Sequence, residues 1–184
     1  MLLGIISDTH GSVRAWREAL AGPLAAADQI FHGGDLLYHG PRNPFPSEYD
    51  PQELALLINQ CSVPVFAVRG NCDSEVDQML LAPVLQCPYL LADHPRGRIL
   101  VTHGHHFNYQ AAQALAGRLG VKIWISGHTH EPLLEQKGAL IFLNPGSPAL
   151  PKGDLPRRSV ALISSEEIQL IDIDASRPLK VFKF

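Results

Sequence analysis

The chain has 184 residues, 46% hydrophobic and 18% charged, which is the make-up of a globular protein rather than a disordered or fibrous one. A formal net charge of -3 supplies no basic field for tight, non-specific binding of nucleic acid. Cys61, Cys72 and Cys87 are an odd number at unrelated spacings, which argues against a disulfide framework and for a reducing compartment.

The length predicts one domain over 1–184 with a substantial core. The apolar start ends at Ser7-Asp8, too short for an export signal, and no apolar run approaches the roughly 20 residues that span a bilayer. The expectation is a soluble, cytoplasmic protein with no membrane partner.

In chain order, Met1 to Ile6 is a short apolar strand that runs directly into Ser7-Asp8-Thr9-His10-Gly11. Ser12 caps a helix over Val13 to Leu20, with Val13, Trp16 and Leu20 on one face. Gln29 to His32 is a second strand, ending at Gly33-Gly34-Asp35. The segment from Tyr38 to Asp50 contains Gly40, Pro41, Pro44 and Pro46 and reads as a loop. Pro51 opens a helix to about Gln60, and Val63 to Val68 is a third strand, reaching Arg69-Gly70-Asn71-Cys72-Asp73. The order strand–helix–strand–helix–strand indicates a mainly parallel sheet.

Ser74 to Leu81 reads as a short helix. Pro88 to Ala92 and Arg98 to Thr102 read as strands, the second ending at Thr102-His103-Gly104-His105-His106. Ala111 to Leu119 is an alanine-rich helix. It leads into Val121 to Ser126, which ends at Gly127-His128-Thr129-His130. Pro132 to Gln136 and Ala139 to Leu143 flank a turn at Lys137-Gly138, and Ser159 to Ile163 pairs with Glu167 to Ile173 in another hairpin. The second half therefore predicts an antiparallel or mixed sheet, giving an α/β fold with two sheets.

Alone, His128-x-His130 is most often a pair of loop histidines. On extended backbone, however, residues two apart point the same way, so the two rings can each hold one of two ions about 3.5–4 Å apart. Four more strands end in similar signatures: Asp8-Thr9-His10, Gly34-Asp35, Gly70-Asn71 and His103-Gly104. Sites in open α/β sheets form where the carboxyl ends of strands meet. Such ends bring together two carboxylates (Asp8, Asp35), one amide (Asn71) and four imidazoles (His10, His103, His128, His130). That mix suits manganese, iron, zinc or nickel better than calcium.

The ordered set Asp-x-His, Gly-Asp, Gly-Asn, His-Gly, Gly-His-x-His resembles the calcineurin-like metallophosphoesterase superfamily. More narrowly, residues 69–75, His39-Gly40-Pro41-Arg42-Asn43, Asn144-Pro145-Gly146-Ser147 and Pro151-Lys152-Gly153 resemble the small bacterial phosphodiesterases of the YfcE type. The resemblance runs from about residue 2 to about residue 173. It implies two packed mixed sheets flanked by helices, with Asp8, His10 and His130 on one metal, Asn71, His103 and His128 on a second, and Asp35 bridging both. Asn71, Cys72 and His103 are the residues it implies at the reacting phosphate. The cofactors implied are two divalent ions, manganese first, with zinc, iron or nickel as alternatives. The reaction implied is hydrolysis of a small phosphodiester by a metal-bridging hydroxide, since two dications lower the pKa of a shared water.

One departure stands out. Many members carry histidine after Gly-Asn, thought to protonate the leaving oxygen, and Cys72 stands there instead. The thiol is either an acid of reduced use or a small packing residue, and the expectation is a preference for leaving groups, such as aryl oxides, that need little protonation. His105 either orients a ligand or touches phosphate, or is a plain loop residue. Arg42 and Asn43 either reach substrate or belong to a solvated loop. Trp16 and Trp124 read as core, and His32, His39, His94 and His106 receive no metal role. A phosphomonoesterase with the same metals is the alternative activity. A non-catalytic scaffold, as in vacuolar sorting subunits of this fold, is disfavoured by the intact ligand types. No nucleic-acid partner is expected, and homo-oligomerisation is left open.

Overall fold

The computed structural model describes all 184 residues. The strands, in chain order, are β1 (Leu3–Ile6), β2 (Gln29–His32), β3 (Val65–Val68), β4 (Leu85–Gln86), β5 (Leu90–His94), β6 (Gly97–Val101), β7 (Val121–Ile125), β8 (Pro132–Lys137), β9 (Leu140–Pro145), β10 (Ser159–Ile163), β11 (Glu167–Asp172) and β12 (Arg177–Lys183). The helices are α1 (Val13–Ala21), α2 (Pro51–Asn59), α3 (Glu75–Leu80) and α4 (Tyr109–Leu119). Two sheets form, of seven strands in the order β12-β11-β10-β1-β2-β3-β4 and five in the order β5-β6-β7-β9-β8.

Both sheets are mixed. Strands β1 to β4 run parallel, as do β6, β7 and β9, while β10, β11, β12, β5 and β8 pair antiparallel to their neighbours. The period of two decides which side chains face where. Leu3 and Ile5 of β1, Ile99 and Val101 of β6, Ile123 and Ile125 of β7, and Ile141 and Leu143 of β9 fill the layer between the sheets. Their alternates turn outward. Ile6 packs with Val13 and Trp16 of α1 and Leu54 and Ile58 of α2. Leu100, Trp124 and Phe142 meet Ala112 and Ala116 of α4. The result is helix, sheet, sheet, helix, with both tryptophans in core positions.

The helices start where the sequence signals them. Ser12, Asp50, Ser74 and Asn108 each cap a helix by accepting a backbone N–H, and Ser74 forms a reciprocal capping box with Asp77. Helix α4 begins two residues earlier than the alanine run suggests and ends at Gly120, in left-handed conformation.

Three expectations need correction. The halves of the chain do not correspond to the sheets, because β10, β11 and β12 return to the edge of the first sheet beside β1. The β8–β9 turn falls on Gly138-Ala139, since Lys137 pairs with Leu140 and Gly138 takes the positive φ. Strands β4 and β12 were not read from the sequence: β4 has only two residues, and β12 is an exposed edge carrying Pro178 and three basic residues. No helix is long and apolar enough to cross a membrane.

Candidate metal centre

The five signatures follow β1, β2, β3, β6 and β7, three from one sheet and two from the other, and their ends converge. Asp8, His10, Asp35, His103 and His130 are each at most 2% exposed. The donor atoms of Asp8, His10 and His130 lie within 4.8 Å of one another, and so do those of Asp8, Asp35 and His103. Asp35 stands between the groups, with Oδ2 3.6 Å from Nε2 of His10 and Oδ1 3.4 Å from Nε2 of His103.

Backbone carbonyls fix three of the ring tautomers. Nδ1–H of His10 donates to Tyr38 O at 2.7 Å, that of His130 to Leu150 O at 2.7 Å, and that of His103 to Gly33 O at 2.8 Å. A carbonyl has no proton to give, so the neutral rings turn bare Nε2 lone pairs inward. Those lone pairs face other acceptors. Nε2 of His10 lies 3.1 Å from Nε2 of His130, and Nε2 of His103 lies 3.0 Å from Oδ1 of Asn71, whose Nδ2 donates to Cys72 Sγ. Acceptor against acceptor repels unless a proton or a metal cation sits between, and with the carboxylates of Asp8 and Asp35 beside them the residues present fit a pair of metal ions.

The electrostatics agree. Burial works to raise the Asp8 carboxyl, but the His130 ring, with Nε2 3.4 Å from Oδ1, and the charge of His103 hold it below its ordinary value. Burial likewise opposes ionisation of Asp35, yet His103, the Cys72 N–H and His10 lower it. Burial disfavours charge on His103, and Asp35 and Asp8 overcome it, raising the ring to about 9. The pocket is arranged for positive charge beside two carboxylates.

Asn71 and His128 complete the seven, and both are exposed. The His128 ring has its centroid 5.1 Å from that of His103, and its backbone N–H donates to Oδ2 of Asp8 at 3.0 Å. One sequence argument fails here. Strand β7 stops at Ile125, and His128 and His130 take φ of 72° and 62°, so the pair is not on extended backbone. The rings part, His130 to His10 and His128 to His103. Left-handed backbone is general in the site. Of seven non-glycine residues with positive φ, five are Asp8, His10, Asp35, His128 and His130.

Residues outside the predicted set hold these loops. Asp73 accepts from the backbone N–H groups of Asp35, Leu36 and Gly70 at 2.7–2.8 Å, tying the β2 and β3 ends together. Burial and the Asp35 charge push its carboxyl up to about 6. Ser147 Oγ donates to Asp8 O, and Asn144 Nδ2 donates to Gly127 O, so the end of β9 and the residues just after it brace the Asp8 and Gly127 loops. Gly70 and Gly127 are required by contact: a Cβ on Gly70 would overlap Asp35 Oδ1, and one on Gly127 would overlap Ser7 Oγ and Asp8 Oδ2. The Asp73 role had one signal, an acid two residues after Asn71, but two of its three partners, Asp35 and Leu36, are more than 30 residues away.

Cys72 Sγ groups with His10 and Asp35, not with His103 as its neighbour Asn71 does, and its thiol is pushed up to about 12 by burial and the Asp35 charge. His105 stacks on His106 with centroids 3.7 Å apart, and its buried Nδ1 has no partner. His32 is a satisfied core residue: its Nδ1 accepts from Gly34 N and its Nε2 meets Thr9 Oγ1, and burial takes it down to about 3. A cleft of about 710 Å³ opens over the site, with Cys72, Arg42, Asn43 and Lys152 in its walls. Nδ2 of Asn43 is engaged with His39 O, so the loop uses that amide for its own shape.

Comparison with known proteins follows the same lines. Residues 1–167 match the model of the calcineurin-like phosphoesterase superfamily domain. The chain is 38% identical over 175 residues to phosphodiesterase YfcE of Escherichia coli K12, covering 95% of this chain and 93% of the relative. The solved structure of the E. coli phosphoesterase Yfce superposes with a TM-score of 0.87 at 33% identity, over 100% of this chain and 99% of that one. Vacuolar Protein Sorting 29 from Cryptosporidium parvum shares the fold at 19% identity, with a TM-score of 0.68 over 100% and 98% of the two chains.

Proposed function

Because the chain belongs to the calcineurin-like phosphoesterase superfamily, we propose that it is a metal-dependent phosphodiesterase that hydrolyses a small phosphodiester at a dinuclear centre. The observation that carries this reading is the facing of Nε2 on Nε2 between His10 and His130, repeated as Nε2 on Oδ1 between His103 and Asn71. Both pairs call for a proton or a metal cation between them, and Asp35 has one oxygen toward each.

Asp8, His10 and His130 would hold one ion, Asn71, His103 and His128 the other, and Asp35 both. When bound, two divalent ions supply a hydroxide nucleophile at neutral pH and neutralise the phosphoryl oxygens. In the reaction a water oxygen bonds to phosphorus, the P–O bond to one ester group breaks, and its electron pair leaves with that oxygen. The released proton goes to solvent or to the leaving oxygen. Tyr38, Leu150 and Gly33 keep three ring nitrogens in the coordinating tautomer through their carbonyls. Arg42 and Lys152, in the wall of the cleft, place positive charge near a departing oxyanion. No imidazole follows Asn71, so aryl esters, whose oxyanions leave unprotonated, are the favoured substrates. All seven ligand types are intact, unlike those of a scaffold that has lost its metal.

The test is hydrolysis of matched aryl mono- and diesters by protein stripped of metal and then reloaded. The expected result is no turnover without metal, restoration by manganese ahead of zinc, iron or nickel, and a higher kcat/KM for the diester. Full activity in rigorously metal-free protein would sink the reading, and preference for the monoester would convert it to a phosphomonoesterase.

A further inference from the structure

Beside the metal centre lies a second cavity of about 250 Å³. His128 and Thr129 line both spaces. The smaller one is walled by Phe107, Tyr109, Leu133 and Phe142 over Trp124. It exists because α4 presents Ala112 there, leaving the outer faces of β7 and β9 incompletely covered. Resting on the phosphodiesterase reading, we infer that this cavity is the subsite for the ester group that stays on phosphorus, and that this group is an aromatic ring.

Shape and charge both select a ring. The Phe107 and Trp124 rings meet edge to face at 5.3 Å, and Tyr109 and Phe142 lie 5.3 Å apart, an arrangement into which a flat ring packs by edge and face. An apolar cavity of about 150 Å³ suffices for benzene, so this one holds a substituted ring. Its two rim charges cancel: Lys137 Nζ pairs with Glu135 and sits 4.9 Å from the Tyr109 ring centroid. A phosphate or carboxylate would find no free cation there.

The same charges say which ester group goes where. As the P–O bond breaks, the leaving oxygen becomes anionic, and the unpaired cations Arg42 and Lys152 belong to the large cleft. The retained ester oxygen gains no charge during the reaction and is suited to the charge-balanced cavity. The products are the ring-bearing phosphomonoester and the released alcohol or aryloxide.

The test compares phenyl 4-nitrophenyl phosphate with methyl 4-nitrophenyl phosphate on manganese-loaded enzyme, so that the better leaving group is nitrophenolate in both. Leu133→Tyr, at a 41% exposed position on β8, fills the cavity from its rim. The phenyl-to-methyl ratio of kcat/KM should fall about tenfold or more in the variant, chiefly through KM. A second reading is fluorescence of Trp124 with Trp16 replaced by phenylalanine. Added as a nitroaromatic analogue of the ring-bearing monoester product, 4-nitrophenyl phosphate should quench it in the parent and not in Leu133→Tyr, and inorganic phosphate should quench it in neither. An unchanged ratio in an enzyme that hydrolyses both esters overturns the subsite alone. Failure of the metal-loaded parent on both esters overturns the phosphodiesterase reading beneath it.

Discussion

Asp8, His10 and His130 form one half of the site, and Asn71, His103 and His128 the other, with Asp35 between them. The halves differ in how firmly the chain holds them. In the first, all three side chains are at most 2% exposed and both imidazoles are locked by a carbonyl. In the second, only His103 is buried and locked, while Asn71 and His128 are exposed and no hydrogen bond from the protein orients the His128 ring. The difference teaches that a symmetrical-looking ligand list can hide unequal preorganisation. On the dinuclear reading proposed above, the closed half would keep its ion and the open half would exchange ion, water and substrate.

The sharpest way to break this comparison is to remove what the halves share. Asp35→Asn takes negative charge from both pairs, and turnover should fall on the order of 10³-fold, about 4 kcal/mol of barrier. Kinetics at saturating manganese, with metal content measured alongside, check it. Near-normal turnover would mean that the halves are joined by some other group.

Less drastic is to compare the halves directly. His130→Gln should lose metal at lower chelator concentration than His128→Gln, by about 10–100-fold, because the bond that His130 Nδ1–H donates to Leu150 O makes it the preorganised ligand. Chelator titrations followed by metal analysis read this out. The reverse order, with the His128 variant losing metal first, would show that exposure and tautomer locking do not rank the halves.

The smallest expected effect is at Cys72, on the border of the two. Its Sγ neighbours His10 and Asp35, yet its thiol is pushed up to about 12 by burial and by that same carboxylate, which disfavours a thiolate. Cys72→Ser should leave aryl diester turnover within roughly tenfold, about 1.4 kcal/mol. A collapse with metal still bound would assign the sulfur to the coordination of the closed half.

Much of this was legible in the sequence for a simple reason. Short apolar strands with a period of two, each stopped by glycine or a polar run, mark their own ends, and the ends carried the candidate ligands. Asp8, His10, Asp35, Asn71, His103, His128 and His130 all lie at the strand termini expected of them. What was not legible depends on distant pairings or on backbone twist. The Asp73 clamp joins loops more than 30 residues apart. The return of β10 to β1 is a non-local pairing. At His128-Thr129-His130 an alternating pattern gave the right rings for the wrong backbone, because the tight turn after Ile125 replaced the strand that the alternation assumed.

The left-handed backbone at five candidate ligands has a consequence for selection. Each such residue costs up to about 1–2 kcal/mol relative to the right-handed form, less for aspartate and histidine, while a whole domain is stable by only about 5–15 kcal/mol. Glycine at Asp8 or Asp35 would relieve that strain and remove a buried charge, so a screen for thermal tolerance alone would drift toward such replacements and away from activity. The rigid sandwich behind the loops is then a reserve of stability that lets a lineage keep a site its own backbone disfavours.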